Sequence, residues 1–400
     1  MDLRTDYPYW LLRHGIVRSY PSLQQNIHTE VVVMGAGISG ALAAWYLQKA
    51  GIQVTLVDRR HAGMGSTAAT TALLQYEIDV PLRQLIKKVG EYNAVRSYLL
   101  CLQSIYDLQK ITRHVREDAE FLIKPSFQYA SSRKDLEPLH EEYELRKKTG
   151  IEVQWLEEKE VKSHFGFSKP AGILSKTGAE VNAYSLTHAL LKNGLNKGIS
   201  VYDHTDIINI QHRKRSVELQ TADGYTITAK KLVIACGYES LNYIPFKIET
   251  LYSTYAIASE PLTDARFWYK NALIWETAVP YLYMRVTGDR RILIGGKDDL
   301  YTSSAKRDRM LPAKARMLEQ AFGKLFPSVP FKTDFKWAGI FGSTKDGLPY
   351  IGSIAQHPNT YFALGFGGNG ITFSVLAAQI IRDAITGVSN PDARLFSFDR

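Results

Sequence analysis

The sequence has few cysteines and no signal-like apolar segment at its start, and these absences exclude several classes of protein. Only Cys101 and Cys236 occur in 400 residues, with no metal-type spacing, so neither a disulfide framework nor a metal site is expected. Residues 1–20 lack the continuous apolar core of a signal peptide, because basic side chains such as Arg13 interrupt them. We therefore expect a reducing, cytoplasmic location.

A membrane span is not expected either. One uncharged stretch, residues 31–47, reaches the short limit for crossing a bilayer, but three glycines break it and Glu30 and Lys49 bound it closely. The sequence also contains no repeat, heptad pattern or low-complexity linker.

Nucleic acid is not expected as a partner, although the net charge is +9. The basic residues occur as short scattered clusters, such as residues 146–148 and 213–215, and are not interleaved with aromatic side chains that would stack on bases. A solvated surface explains them. Weak attraction of anionic substrates remains open.

Composition and length indicate a globular protein with two domains. Apolar residues make up 45% and charged residues 22% of the chain. Four hundred residues exceed what one hydrophobic core usually serves.

One stretch, residues 31–58, has the pattern of a βαβ unit that binds a dinucleotide. After a short apolar strand, Gly35, Gly37 and Gly40 follow at GxGxxG spacing. The first glycine permits a tight turn, the second lets backbone amides approach a pyrophosphate, and the third lets the helix pack closely on the strand. The helix N-terminus favours phosphate, and Asp58 ends the second strand, where it would bind ribose hydroxyls. The stretch therefore predicts dinucleotide binding.

The remaining chain alternates between helical and strand-like patterns, so nucleotide-type segments recur at the start, middle and end. We predict an irregular aromatic arm over 1–28, two helices within 84–118, partial helix over 135–165, a helix over 184–194, strands at 216–220 and 225–228, a separate buried strand at 231–237, antiparallel strands over 250–300, a strand at 361–364 and a helix over 371–386 that Gly387 ends. Such interleaving points to a flavoprotein.

Four stretches carry a specific combination of motifs. They are residues 35–58, 63–72 (GMGSTAATTA), 235–237 (ACG), and a C-terminal block with WAG at 337–339, TKDGLPYIG at 344–352 and GGNGI at 367–371. In order and spacing they resemble the FAD-dependent amine and amino-acid oxidase family, which includes glycine oxidase, sarcosine oxidase and gamma-glutamylputrescine oxidoreductase. The resemblance covers roughly residues 28–390.

The resemblance implies bound FAD and the residues that hold it. Ser66 and Thr67 would face the diphosphate, residues 71–73 the flavin, and the Ile207 backbone the adenine; an ordinary Ser/Thr helix cap is the alternative at 66–71. The full expected set is Gly35, Ala36, Gly37, Ile38, Ser39, Gly40, Asp58, Arg59, Ser66, Thr67, Thr71, Ala72, Leu73, Ile207, Gly237, Gly367, Gly368, Asn369, Gly370 and Ile371. Non-covalent attachment is expected, because the cysteine or histidine that tethers FAD in some relatives has no counterpart here.

The final glycine loop, residues 367–371, suits a flavin edge. Glycines admit the ring against the backbone, and the following helix would point its positive end at the negative charge of reduced flavin. A glycine-rich turn before a terminal helix is the alternative.

The expected substrate end departs from relatives that oxidise α-amino acids. Those relatives grip the substrate carboxylate with two arginines, at positions that align with Phe341 and Gly368 here. Arg285 could substitute from another wall, or it could be a surface arginine. Aromatic side chains remain there, either facing a cationic amine or packing a sheet; they are Tyr252, Tyr255, Trp275, Tyr281, Tyr283, Trp337 and Phe341. Tyr281 is the strongest candidate to face substrate.

The resemblance implies an α/β (α+β) fold with a discontinuous Rossmann-like FAD-binding domain and a substrate domain whose sheet is mainly antiparallel. We assign residues 1–27 to an arm, 28–83, 166–245 and 336–400 to the FAD-binding domain, and 84–165 and 246–335 to the substrate domain. The implied activity is oxidation of a C–N bond by hydride transfer to flavin N5, with a small amine as substrate and oxygen or another acceptor. An FAD module acting on modified tRNA and a non-catalytic FAD-binding scaffold are the alternatives. The sequence does not indicate the oligomeric state.

Overall fold

Two β-sheets organise the chain in the computed structural model, which describes residues 2–263 and 268–400. The strands are β1 (Arg4–Thr5), β2 (Ile27–Met34), β3 (Val54–Val57), β4 (Leu73–Leu74), β5 (Leu122–Tyr129), β6 (Val153–Glu157), β7 (Ala171–Glu180), β8 (Ser200–Tyr202), β9 (Ile207–His212), β10 (Val217–Thr221), β11 (Thr226–Ile234), β12 (Glu249–Ser259), β13 (Leu273–Glu276), β14 (Tyr283–Val286), β15 (Ile292–Asp299), β16 (Thr333–Thr344), β17 (Tyr350–Gly352) and β18 (Thr360–Leu364).

Helices cover the sheets and connect their strands. They are α1 (Tyr9–His14), α2 (Ile38–Lys49), α3 (Ser66–Ala69), α4 (Leu82–Val89), α5 (Glu91–Val115), α6 (Leu136–Lys148), α7 (Glu158–Phe165), α8 (Ala183–Leu195), α9 (Ser304–Leu325) and α10 (Gly370–Thr386), with short 3₁₀ helices at Arg133–Asp135, Gly237–Tyr243, Tyr269–Asn271, Gly367–Asn369 and Ala393–Phe396.

The first sheet has the strand order β17-β18-β11-β2-β3-β8, with β10 and β9 extending from β11. Strand β2 is central and runs parallel to both β11 and β3. Residues 31–34 are buried because α2, α8 and α10 cover one face of this sheet. Residues of β9 and β10 pack on the other face, so the parallel core matches the predicted Rossmann-like βαβ unit.

The second sheet is mainly antiparallel, with the order β1-β16-β12-β15-β14-β13-β5-β7-β4 and β6 beside β7. Only β13 and β5 pair in parallel among its described strands. Helix α9 packs on one face, where Leu318 and Phe322 meet Ile257 and Ile294 in a buried cluster. The observed architecture confirms the predicted mixed α/β class.

The N-terminal arm is more regular than the sequence indicated. Strand β1 pairs with β16, and Tyr9 and Trp10 of α1 are each 1% exposed. The Trp10 indole donates a hydrogen bond to the Thr70 carbonyl at 2.7 Å. The arm was predicted as irregular because two strand residues and one short helix are too brief for a periodic signal.

One further expectation needs correction. The separate strands at 225–228 and 231–237 are one strand, β11, because its backbone pairs with β2 from residue 227 to residue 234 in one register. The predicted division into domains assigns residues 171–180 and 336–344 to the nucleotide-binding segments, and it stays a prediction. In the structure their backbone hydrogen bonds lie in the second sheet, with β5 and β12.

Candidate functional site

A continuous cleft lies at the carboxyl ends of the parallel strands in the first sheet and extends to the face of the second sheet opposite α9. Residues that end β2, β3, β11 and β18 line one part of it, and Thr254, Tyr283 and Ile340 from the second sheet line another. Open parallel sheets bind ligands at this edge.

Most of the predicted cofactor residues converge on this cleft, although they come from the start, middle and end of the chain. Those that line it are Gly35, Gly37, Ile38, Ser39, Asp58, Arg59, Ser66, Thr67, Thr71, Ala72, Leu73, Ile207, Gly237, Gly367, Gly368, Asn369, Gly370 and Ile371. Ala36 and Gly40 lie behind the lining, where they shape the turn.

The glycine turn has the close contacts that its spacing predicts. Gly35 has a φ of +108°, and a Cβ there would lie 2.5 Å from the Ala235 carbonyl oxygen. A Cβ on Gly40 would lie 1.8 Å from the Gly35 carbonyl oxygen. Helix α2 therefore meets β2 at a distance that only glycine permits, and its first residues, Ile38 and Ser39, line the cleft.

Asp58 fastens the end of β3 to this turn. Its carboxylate accepts a hydrogen bond from the Ala36 N–H at 2.7 Å and another from the Arg60 N–H at 2.8 Å. Burial raises the pKa of Asp58, and these two donors oppose that rise. Asp58 thus orders the loop as well as lining the cleft at the place where a ribose is expected.

The start and the middle of the chain are joined by ion pairs at this end of the cleft. Arg59 and Arg60 both bind the carboxylate of Glu239, which lies on the 3₁₀ helix after β11. The pairs bring the loop after β3 against the Gly237 turn.

The Ser66 hydroxyl indicates whether a dinucleotide fits the glycine-turn end of the cleft. Its hydroxyl oxygen is buried, lines the cleft, and finds no hydrogen-bond partner among the described residues. A buried hydroxyl without a partner is costly, so a ligand acceptor at this point would restore the missing bond. A Cβ on Gly37 would lie 2.9 Å from the Thr67 hydroxyl, so the turn leaves no room for a side chain beside it. These features fit the diphosphate of FAD.

The final glycine loop closes the other end of the cleft. Asn369 donates hydrogen bonds to the carbonyls of Gln75 and Glu77 at 3.0 and 2.9 Å, which fixes the loop against residues 75–79. Helix α10 begins at Gly370 with no acidic residue in its own first turn, and the nearby carboxylate of Asp79 is bound to the Gly368 N–H at 2.7 Å.

Aromatic side chains and the carboxyls of Asp79 and Asp298 form the wall between this loop and the second sheet. Tyr281 lines the cleft, and its hydroxyl donates to Asp79 at 3.0 Å, while the Gly368 N–H donates to the other oxygen of Asp79 at 2.7 Å. The ring of Tyr283 lies 5.7 Å from that of Tyr281. It lies over Gly295, where a Cβ would be 2.2 Å from the Tyr283 hydroxyl.

The carboxyls at this wall are perturbed by burial. Burial raises the pKa of Asp79, against the opposing effect of its two donors, and raises the pKa of Asp298 to about 6. Burial also raises the pKa of Glu249, which is 4% exposed, to about 7. Glu249 lies against Gly342 and the ring of Tyr238, which lines the cleft.

Arg285 does not have the substrate-facing position that was expected of it, and it is not on the surface. It is 2% exposed and lies outside the cleft lining. Its guanidinium is ion-paired with Glu180 at 3.1 Å and donates to the Thr71 carbonyl at 2.7 Å. Arg285 therefore supports the Thr71 loop from behind.

The aromatic candidates divide into residues that line the cleft and residues that lie outside its lining. Tyr281, Tyr283 and Phe341 line the cleft. Tyr255 is buried and bonds Tyr301, and the Trp337 indole donates to the Ala69 carbonyl at 2.8 Å.

Sequence reasoning missed Asp79, Asp298 and Glu249. Each is a lone acidic residue in a segment without a recognisable motif. A weak signal existed for Asp298, which follows the pair Gly295–Gly296 in a strand, a pattern that often marks a bulge or a close approach.

Glu249→Gln should change how stability depends on pH. Between pH 4.5 and about 7, the unfolded carboxyl is ionised while the folded one keeps its proton. The native free energy of unfolding should therefore fall as pH rises through this window, by up to about 1.4 kcal/mol per pH unit. In urea unfolding, the free energy of unfolding of Glu249→Gln should rise relative to that of the native protein across this pH window. Above about pH 7 the difference between the two should stay constant. Parallel pH profiles would contradict the buried, unpaired carboxyl.

None of the described helices is both long enough and apolar enough to cross a membrane.

Comparisons with known proteins agree with this geometry. A family model described as FAD dependent oxidoreductase matches residues 30–384. Glycine oxidase of Geobacillus kaustophilus (strain HTA426) is 24% identical, over 89% of this chain and 92% of that protein. Gamma-glutamylputrescine oxidoreductase of Escherichia coli (strain K12) is 23% identical, over 92% and 86%. The crystal structure of glycine oxidase from Geobacillus kaustophilus superposes with a TM-score of 0.79 at 20% identity, covering 93% of this chain and 99% of that one.

Proposed function

The chain belongs to the FAD-dependent oxidoreductase family, and on that premise we propose that it oxidises a C–N bond of an amine or amino-acid-derived substrate. The observation that carries the proposal is the unbroken cleft, which links the glycine turn at Gly37 to the tyrosine wall at Tyr281. Cofactor and substrate would lie end to end in it. The relatives named above act on glycine and on gamma-glutamylputrescine, which supports the same class of bond.

The chain's own residues would hold the cofactor non-covalently. The Gly37 N–H and the Ser66 and Thr67 hydroxyls would face the diphosphate, and Asp58 the ribose; the Ile38 N–H donates to the Thr67 hydroxyl at 3.0 Å and so fixes its position. Residues 71–73 and 367–370 would flank the flavin. When bound, FAD supplies a hydride acceptor, N5, for the carbon next to the amine nitrogen, and the imine left on the substrate is hydrolysed by water.

The protein then contributes position and charge. The N-terminus of α10 would favour negative charge at the flavin end, by about 0.3–1 kcal/mol and up to about 2 kcal/mol where partly buried. Interactions that strengthen as negative charge develops on the flavin in the transition state accelerate the reaction rather than only tightening binding. Asp79 fixes the Tyr281 hydroxyl and the Gly368 amide, so the wall is ordered before substrate arrives.

The place of action and the acceptor belong to the same proposal. Cys101 and Cys236 are both free thiols, which supports a reducing compartment, the cytoplasm. Molecular oxygen or another electron acceptor would reoxidise the flavin.

The proposal predicts that the purified protein is yellow and that an amine bleaches its visible flavin absorption in the absence of oxygen. Primary amines, N-methyl glycines and D-amino acids should be compared, with free FAD as the control for direct reduction. Bleaching by at least one amine, with release of ammonia or the shorter amine, is expected. A protein that retains FAD and is bleached by dithionite but by no amine would overturn the proposed reaction.

A further inference from the structure

The wall beyond Tyr281 and Tyr283 carries the Asp298 carboxylate and, among the described residues, no basic side chain that lines the cleft beside it. Among the described residues that line the cleft, the basic side chains are Arg59 and Arg60, and both are ion-paired with Glu239 beside the glycine turn. Asp298 lines the tyrosine end instead.

Asp298 reaches the cleft because of a bulge near the end of β15. The register with β12 shifts between Ser253 and Tyr255, and Lys297 has a φ of +61°. The next residue, Asp299, binds Lys314 of α9 at 2.7 Å, on the opposite face of the sheet. Adjacent aspartates thus face opposite sides.

One oxygen of the Asp298 carboxylate lacks a partner. Its Oδ1 atom is buried, and no hydrogen-bond donor to it is found within residues 2–263 and 268–400, although a hydrogen bond with Thr254 opposes the rise in pKa that burial causes. A carboxylate oxygen that is buried without a donor is costly, so a cation from the ligand would complete this site.

A second, independent carboxyl lies at the same end. Both oxygens of Glu249 are buried and unpartnered within the part of the chain that the structure describes. Gly342 makes room for it, because a Cβ there would lie 2.1 Å from Glu249 Oε2 and 2.8 Å from the ring of Tyr238. Burial favours its protonated form, so Glu249 supplies no positive charge that could pair with Asp298.

The glycine loop supplies no counter-charge. A Cβ on Gly368 would lie 2.7 Å from Asp79 Oδ1 and 3.1 Å from the Tyr281 hydroxyl, so a larger residue is excluded unless Asp79 moves. A substrate carboxylate placed there would meet Asp79 and Asp298 and be repelled.

We infer that Asp298 binds a second, non-reacting ammonium group of the substrate, so that the substrate is a diamine or polyamine rather than an α-amino acid. The inference rests on the proposed function and assigns its substrate class. The faces of Tyr281 and Tyr283 would contact the same cation. The reacting nitrogen would lie at the flavin end, one alkyl chain away.

The test compares putrescine and cadaverine with n-butylamine and n-pentylamine on the FAD-loaded protein, without oxygen. The half-saturating concentration is read from any change in the flavin spectrum and from the melting temperature, so binding is measured even without turnover. Glycine and D-alanine serve as carboxylate-bearing probes. The native protein should bind a diamine at least about tenfold more tightly than its monoamine, equivalent to about 1.4 kcal/mol.

Asp298→Asn should abolish that preference while leaving monoamine binding within about threefold, the spread expected of a neutral substitution. Asp223→Asn is the control for net charge, because Asp223 is exposed in the turn between β10 and β11, outside the cleft lining, and should keep the preference. Asp298→Glu retains the negative charge and should keep part of the preference for a diamine over its monoamine. FAD content confirms folding of each variant.

The outcomes separate this inference from the proposed reaction. A preference unchanged in Asp298→Asn, or binding of glycine as tight as that of a diamine, would overturn the cation site even if amines bleach the flavin. Diamine binding that depends on Asp298, without bleaching by any amine, would support the cation site and overturn the proposed reaction.

Discussion

Gly40→Ala should abolish retention of FAD. The added methyl carbon would lie 1.8 Å from the Gly35 carbonyl oxygen and 3.0 Å from its carbon, and both are backbone atoms that cannot rotate away. Relief requires α2 to move off β2, which displaces the Gly37 amides from the cleft. We expect FAD binding to weaken at least about a hundredfold, or about 2.8 kcal/mol. The measurement is FAD content after gel filtration, followed by titration of the apoprotein with FAD.

Gly323→Ala is the matched control. Gly323 also lies inside a helix, α9, but a Cβ there would meet nothing within 4 Å. Alanine is favoured over glycine in a helix by about 0.5–1 kcal/mol, so this variant should be as stable as the native protein or slightly more so, with full FAD content. Equal FAD binding by Gly40→Ala and the native protein would show that the turn does not hold the cofactor.

Arg285→Met should destabilise the fold and loosen FAD rather than change substrate preference. Among residues 2–263 and 268–400, the substitution leaves the buried Glu180 with Lys124, at 3.3 Å, as its one cation, and it removes the donor to the Thr71 carbonyl. Breaking a buried pair by removing one partner costs about 3–5 kcal/mol. Urea unfolding and FAD content should both report the loss. The diamine-to-monoamine ratio of half-saturating concentrations should stay within about threefold of native.

Arg290→Met is its control, because Arg290 is exposed and its side chain bonds only the Thr263 carbonyl, at 3.3 Å, in the described structure. A surface substitution of this kind should change the free energy of unfolding by no more than about 0.5 kcal/mol. The double variant Arg285→Met with Glu180→Gln should recover part of the lost stability, because it no longer leaves a buried charge unpaired. A stable Arg285→Met protein with altered substrate preference would restore the substrate-facing role that the structure argues against.

The sequence was sufficient for the parts of the fold that depend on local spacing. The GxGxxG turn, the helix α10 and its end at Gly387, with a φ of +75°, were all predictable, because each depends on residues close together in the chain. The family resemblance added the convergence of the three cofactor segments, which no local pattern contains.

Contacts between distant residues were not predictable. Asp79 bonds Gly368 across 289 residues, and a single aspartate has no periodicity that would reveal such a partner. Arg285 was misjudged for the same reason, because its pairing with Glu180 spans 105 residues. Asp298 depends on one bulge, and a shift of one residue would have turned it towards α9.

A crystal structure of the protein with FAD tests the central claim most directly. We expect the diphosphate beside the Gly37 amides and the Ser66 hydroxyl, and the isoalloxazine between residues 71–73 and 367–370, facing Tyr281. A flavin bound outside this cleft, or a cleft in which residues 367–370 block the isoalloxazine position, would contradict the account.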